Sequence, residues 1–285
     1  MSSSQFYNNI LLLANKTNKN IHYIFHENSD KMAVIVDPRY DELMESVINN
    51  FMFYMNPKGW NLIIISHSTY ESEIKINHPY CKFGTIDESL IYYKNNIPNL
   101  SIDSYNSIFL NIEFWNMINS NHIAIFQKDC IMFNMFDDIF LEYDFGGANY
   151  YLTTHLTFFN GGVNGGFSLR KKDKMIECLK KVNLEIINKY KREMSTLFCQ
   201  PIFLFKNINE DVFFVWACEI LKFKIPDVFH RKKLAIEFEI EIHNNNNNNK
   251  LSPSVYHGWH HNYHSVYYAS QFLTKSEYFA KVLYV

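Results

Sequence analysis

A chain of 285 residues, 47% hydrophobic and 20% charged, can bury a substantial core, and this composition excludes a disordered polymer. Its formal net charge of −2 leaves no basic excess to neutralise a nucleic-acid backbone, so no nucleic-acid partner is expected. The five cysteines form no Cys-x-x-Cys pair, and no stretch approaches the ~18 apolar residues of a membrane span. The expectation is therefore a chain with reduced thiols, no transmembrane segment and a cytoplasmic setting.

Residues 1–30 are polar and Asn-rich, an N-terminal extension with one helix near Asn8–Asn15. The β-branched run Met32–Asp37 reads as a strand buried on both faces. A helix over Asp41–Met55 follows, with Leu43, Val47, Phe51 and Tyr54 on one stripe, and Asn61–Ser66 is a second buried strand. Strand, helix, strand at these lengths begins a parallel sheet. The spacing predicts an amphipathic helix over Tyr105–Ile118 and a strand His122–Phe126, stopping at Gln127-Lys128-Asp129-Cys130. A glycine-rich loop, Asn160–Gly166, precedes a helix from Lys172 to about Tyr190, and Asn209-Glu210-Asp211 opens a helix over Val212–Leu221. The tail from Ile236 holds a strand-like stretch, the run Asn244–Asn249 and a His-rich segment, His257–His264. The Asn run reads as a surface loop inside one α/β domain spanning 31–285.

Open α/β sheets bind ligands beyond the carboxyl ends of their strands, which is where Asp37-Pro38-Arg39 and Gln127-Lys128-Asp129 fall. Asp129 there can hold a divalent cation bridging phosphates, or simply cap a turn. Four glycines in Gly161-Gly-Val-Asn-Gly-Gly166 match neither the Walker nor the dinucleotide fingerprint. They allow close backbone approach to a ligand or mark a flexible turn. Glu210 and Asp211 suit a helix N-terminus, and either can serve as a general base. His257, His260, His261 and His264 could form a zinc site, although Gly258 and the interleaved aromatics favour a loop over a pocket.

Taken in order, these clusters resemble a GT-A-type glycosyltransferase-like family. The shared segments are Phe126-Gln127-Lys128-Asp129, Phe140-Leu-Glu-Tyr-Asp144 with Gly147-Ala148, Asn164-Gly-Gly-Phe-Ser-Leu-Arg170, Glu210-Asp-Val-Phe-Phe214 and His257-Gly258. The resemblance implies a Rossmann-like, mostly parallel central sheet flanked by helices. It also implies transfer of a sugar from a nucleotide-diphosphate donor, a UDP-sugar by default, to a glycan or other hydroxyl acceptor. Inversion and a divalent Mn²⁺ or Mg²⁺ are expected. Members of the family occur in bacteria, fungi and large DNA viruses, and the Asn-rich composition fits a viral member.

Carried onto this chain, Asp129 and His257 hold the metal, with Gln127 standing where an acid is usual. Asp37 and Arg39 lie near base and ribose; Asn164, Gly165 and Gly166 shape the floor near donor sugar and acceptor; and Arg170 neutralises phosphate or simply pairs with an acid. Asp211 is the base with Glu210 assisting or binding acceptor, while Asp144 and Trp259 border the acceptor or sugar pocket. The weaker ligand at Gln127 keeps a second reading open, an inactive domain that binds glycan or nucleotide, and Asn149-Tyr150 in place of a family Pro-Trp means that the family's acceptor does not carry over. A zinc hydrolase built on the late histidines is a third. Nothing in the sequence sets an oligomeric state.

Overall fold

The computed structural model describes residues 3–17, 23–149, 163–198, 204–237, 254–257 and 276–279. Its helices are α1 (Ser3–Thr17), α2 (Glu42–Met55), α3 (Glu71–Asn77), α4 (Ile102–Phe109), α5 (Ile112–Asn116), α6 (Lys172–Lys181), α7 (Leu184–Phe198), α8 (Glu210–Ile220) and α9 (Val228–Leu234). The strands are β1 (Lys31–Val36), β2 (Asn61–Ser66), β3 (Lys82–Thr85), β4 (Ile91–Lys94), β5 (Ile97–Leu100), β6 (His122–Phe126), β7 (Cys130–Met132), β8 (Phe145–Asn149), β9 (Val163–Lys171), β10 (Ala235–Glu237) and β11 (Val255–His257). Six of them form a central sheet in the order β3-β2-β1-β6-β9-β8. The first four run parallel, and β9 enters antiparallel between β6 and β8. This is a mixed α/β, GT-A-like architecture with a mostly parallel sheet flanked by helices.

Successive side chains of a strand point to opposite faces, and here both faces are covered. Ala33, Ile35, Leu62, Ile64, Ala124 and Phe126 pack beneath α2 and α1, where Val47, Ile48, Phe51 and Leu11 are buried. Their neighbours Val34, Ile63, Ile65, Ile123 and Ile125 face the other way, onto Phe109, Trp115, Met175 and Phe214 from α4, α5, α6 and α8. Asp41 caps α2 by accepting from the Met44 amide at 2.9 Å, and the Phe51 ring stacks on Phe126 at 4.2 Å. The α2 stripe is thereby clamped to the β6 strand whose end carries Gln127. Helix α1 packs on α2, so the N-terminal extension contributes Leu11 and Ala14 to the core.

Three expectations are corrected. The helix over Tyr105–Ile118 is two helices, because the Asn111 side chain accepts from the Glu113 amide and starts α5 afresh. The helix from Lys172 breaks at Val182, and Asn183 accepts from the Ile186 amide at the start of α7. Among the described residues the glycine motif is strand, not loop, since Val163–Lys171 pairs with both β6 and β8. The segment between β2 and α4, left unread in the sequence, holds β3 and the β4-β5 hairpin. Asn95 and Asn96 turn that hairpin at φ 51° and 62°, left-handed angles that asparagine tolerates.

Candidate functional site

β1 leads by crossover to β2 on one side, whereas β6 lies on the other, so the chain's winding reverses between β1 and β6. Such a switch point opens a crevice at the carboxyl ends of the two strands. A cleft of about 570 Å³ occupies that position. Its walls are Asp37 and Arg39 after β1, Gln127, Lys128 and Asp129 after β6, Asn164, Gly165 and Gly166 of β9, and Asn209, Glu210 and Asp211 at the start of α8. The β4-β5 hairpin and α4 close the remaining side with Asn99, Ser101, Tyr105 and Asn106. The fold thus gathers nine of the thirteen residues singled out in the sequence around one cavity.

Asp37 binds Arg39 through both carboxylate oxygens, to Nε and Nη2 at 3.0 Å each, and also accepts from the Arg39 amide at 2.9 Å. Lys128 Nζ meets Asp41 Oδ2 at 2.5 Å. Burial works against the Asp41 carboxylate, but Lys128, the Met44 amide and Arg39 together outweigh it and hold the group below its ordinary value.

On the opposite wall Glu210 is buried and receives a bidentate fork from Arg170, Nη1 at 2.6 Å and Nη2 at 2.9 Å. Arg170 also donates from Nε to Ser168, and its guanidinium lies 5.0–5.9 Å from the ring centroids of Phe109, Trp115, Phe145 and Phe214. Such weakly hydrated planar cations suit aromatic enclosures. Of the two expectations for Arg170, the structure shows the pairing with an acid and not a place facing donor phosphate. None of its side-chain surface is exposed, and it stands behind the wall holding Glu210. Glu210 is correspondingly a buried strut, tied further by its amide to Asn106 Oδ1 at 3.1 Å.

Asp211 is different. Its Oδ2 accepts from the Gly165 amide at 3.1 Å and its Oδ1 from the Val212 amide at 2.7 Å, which fixes the carboxyl group. Burial, reinforced by the adjacent Glu210 charge, pushes its pKa from 3.8 up to about 6, against the lowering pull of those two amides and Arg170. Gly165 makes this packing possible. A Cβ there would collide with Glu210 Oε1 and come within 3.2 Å of Arg170 Nη2 and Asp211 Cβ. The Gly166 amide is already given to Asn164 Oδ1 at 2.7 Å. The Gly165 and Gly166 amides are thus committed within the wall.

Asp144, expected in the acceptor pocket, is at the other end of the sheet. It lies beside β9's last residues, accepting from the Lys224 amide at 2.8 Å and from Lys171 Nζ at 3.0 Å. It follows the short helix over 138–142 and precedes β8, whose first residue pairs with Arg170, far from the Gly166 end. Trp259 and the histidines at 260, 261 and 264 lie outside the described residues. The backbone of His257 does not: β11 pairs antiparallel with β7, setting His257 against Cys130, the neighbour of Asp129. The sequence places Lys128 in the strand-end cluster without a role and gives no sign of Tyr105 or Asn106 as cleft residues. Asn106 joins α4 to α8 through Asn209 at 3.2 Å, a partner 103 residues away that no local pattern reveals. Tyr105 faces Gln127, and burial raises its hydroxyl pKa.

A divalent cation fits this donor set in one way. Among the described residues no three His, Cys, Asp or Glu groups gather closely enough to hold a metal. Magnesium-type sites, however, need only one or two carboxylates when substrate phosphates complete the shell. Asp129 supplies such a carboxylate at the cleft, with the Gln127 amide beside it. Among the described residues no helix is long and apolar enough to cross a membrane.

Comparison with solved structures agrees with this architecture. The fold is similar to that of the galactosyltransferase LgtC bound to donor and acceptor sugar analogues, with TM-score 0.53 at 10% identity over 85% of this chain and 93% of that one. Mouse xyloside xylosyltransferase 1 in its apo form aligns over 80% of this chain and 97% of its own, with TM-score 0.48 at 10% identity. No curated protein matches the chain in sequence. Residues 89–257, more than half of the chain, match a family model described as a protein of unknown function, DUF5672, and the chain belongs to that family.

Proposed function

We propose that the cleft transfers a glycosyl group, with inversion, from a nucleotide-diphosphate sugar to a hydroxyl of a glycan or similar acceptor. The observation that carries this reading is Asp211, a fixed carboxylate on the cleft wall at the sheet's switch point, with its pKa at about 6. A general base works best when its pKa lies near the working pH, and an ordinary helix-capping aspartate has no such shift.

In this reading Asp37 and Arg39 border the base and ribose, while Gln127 and Asp129 face the diphosphate and Asn164 floors the donor sugar. Asp129, with His257 from the neighbouring strand, would hold a Mn²⁺ or Mg²⁺ ion, which when bound supplies positive charge to the departing diphosphate. The acceptor oxygen attacks the anomeric carbon as the bond to the diphosphate oxygen breaks and its electron pair leaves with the nucleotide. Asp211 takes the acceptor proton. Glu210 keeps α8 in place through Arg170.

The test is release of nucleoside diphosphate from UDP-, GDP- and dTDP-sugars by the wild type and by Asp211→Asn. One donor should turn over, with Asp211→Asn slower by about 100-fold or more, the usual contribution of a positioned base. Equal rates in the two proteins would remove Asp211 from the chemistry. Nucleotide binding without any turnover would favour a domain that only binds.

A further inference from the structure

Four carboxylates, Asp37, Asp129, Glu210 and Asp211, line the cleft against two cations, Arg39 and Lys128. An anionic ligand entering such a site needs positive charge that can be brought to it. The three ion pairs of the region differ in how readily they can give it up. Arg170 is enclosed with Glu210, and withdrawing it would leave a buried carboxylate uncompensated. Arg39 is held at two side-chain atoms and through its own amide by Asp37, whose side chain is only 12% exposed. Lys128 has a different partner. Its ammonium rests on Asp41, whose side chain is 50% exposed and would be hydrated at once if the lysine left.

Resting on the glycosyl-transfer reading above, we propose that Lys128 is the exchangeable cation of the site. It is stored on Asp41 and passes to the diphosphate of the nucleotide donor, where it offsets charge on the leaving group. The position suits the task. Lys128 stands on the turn between Gln127 and Asp129, beyond the end of β6, and is a lining residue of the cleft, with its side chain only 13% exposed. An ammonium on a four-carbon stem with rotatable donors exchanges partners more readily than a guanidinium fork. Asp41 loses little by the exchange, because its other oxygen keeps the cap on α2 through the Met44 amide. A plain surface bridge would make the opposite prediction, since neither member would then affect phosphate binding.

The experiment is calorimetric titration of UDP, GDP, CDP and dTDP, and of the matching monophosphates, into wild type, Lys128→Met and Asp41→Asn, with Mg²⁺ present throughout. Asparagine caps a helix as well as aspartate, so Asp41→Asn keeps α2 intact, and thermal melting checks that both variants fold. The quantity read is the affinity for the diphosphate divided by that for its monophosphate. Lys128→Met should lower this ratio by about tenfold, the scale of one charge-assisted contact. Asp41→Asn, by removing the resting partner, should raise it. A ratio in Lys128→Met within about twofold of wild type, or an Asp41→Asn variant that fails to raise it, overturns the proposal and leaves the pair a strut. Wild type that binds none of the eight nucleotides would sink the glycosyl-transfer reading itself, and the proposal with it, before any variant is compared.

Discussion

The two walls of the cleft carry the same kind of interaction in opposite physical settings. On the α8 wall, Arg170 and Glu210 are side chains 0% and 4% exposed, boxed by four aromatic rings. On the β1–β6 wall, Lys128 is 13% exposed and Asp41 50%. Desolvation makes the first pair costly to break and leaves the second nearly free to rearrange. One wall therefore holds its charged pair rigidly, and the other holds a pair that exchanges partners at little cost.

The sharpest way to break this contrast is to remove one cation from each wall. Arg170→Met strands Glu210 as a buried charge and should cost about 3–5 kcal/mol in denaturant unfolding. Lys128→Met should cost about 1 kcal/mol or less in the same assay. Comparable losses in the two variants would erase the distinction between the walls.

Asp211 sharpens the contrast further, because it links function to stability with a definite sign. Its native pKa, about 6, lies above the ordinary 3.8, so the folded protein prefers the protonated acid. Ionisation therefore penalises the native state as pH rises through about 6, and the penalty is absent below about 4. Asp211→Asn should consequently raise stability at pH 7 by up to about 2–3 kcal/mol, as two pKa units imply, and change little at pH 4. Transfer by the wild type should climb through pH 6 as the base ionises, and the variant should lose that climb along with its rate. A variant destabilised at pH 7 would mean that Asp211 serves the fold instead.

A smaller effect is expected at Gly165. Gly165→Ala places a methyl group against Glu210, Arg170 and Asp211, and overpacking of this kind costs about 1–3 kcal/mol. Displacement of the Asp211 carboxylate should lower kcat more than it raises KM. An unchanged kcat would show that the wall tolerates movement.

The parts legible in the sequence are those decided by local pattern. β1, α2, β2 and β6 fall within a residue of their expected bounds, because strands buried on both faces and a capped apolar stripe announce themselves. The hairpin at Lys94-Asn95-Asn96-Ile97 carried a usable signal too, two asparagines between short β-branched or aromatic runs, and it went unread. The glycine motif misled for a different reason. Gly165 is required by Glu210 and Asp211 on a helix some 45 residues later, so the local pattern could suggest openness but not the partner that fills it. For Arg170 the sequence leaves phosphate and an acid partner equally open, because Glu210 is 40 residues away and a buried fork and an open one have the same sequence. Motif order brought Asp144 along with its neighbours, whereas strand direction carries it to the far end of the sheet.

The most direct test of the central claim, that this cleft holds a nucleotide-diphosphate donor at Asp129, is thermal melting with UDP, GDP, CDP and dTDP. Each nucleotide is added with and without Mn²⁺, to wild type and to Asp129→Ala. A ligand that binds the native state alone raises the melting temperature. The account predicts that one nucleotide stabilises the wild type and loses that effect in Asp129→Ala. A wild type that none of the four stabilises, with Mn²⁺ or without it, would contradict it.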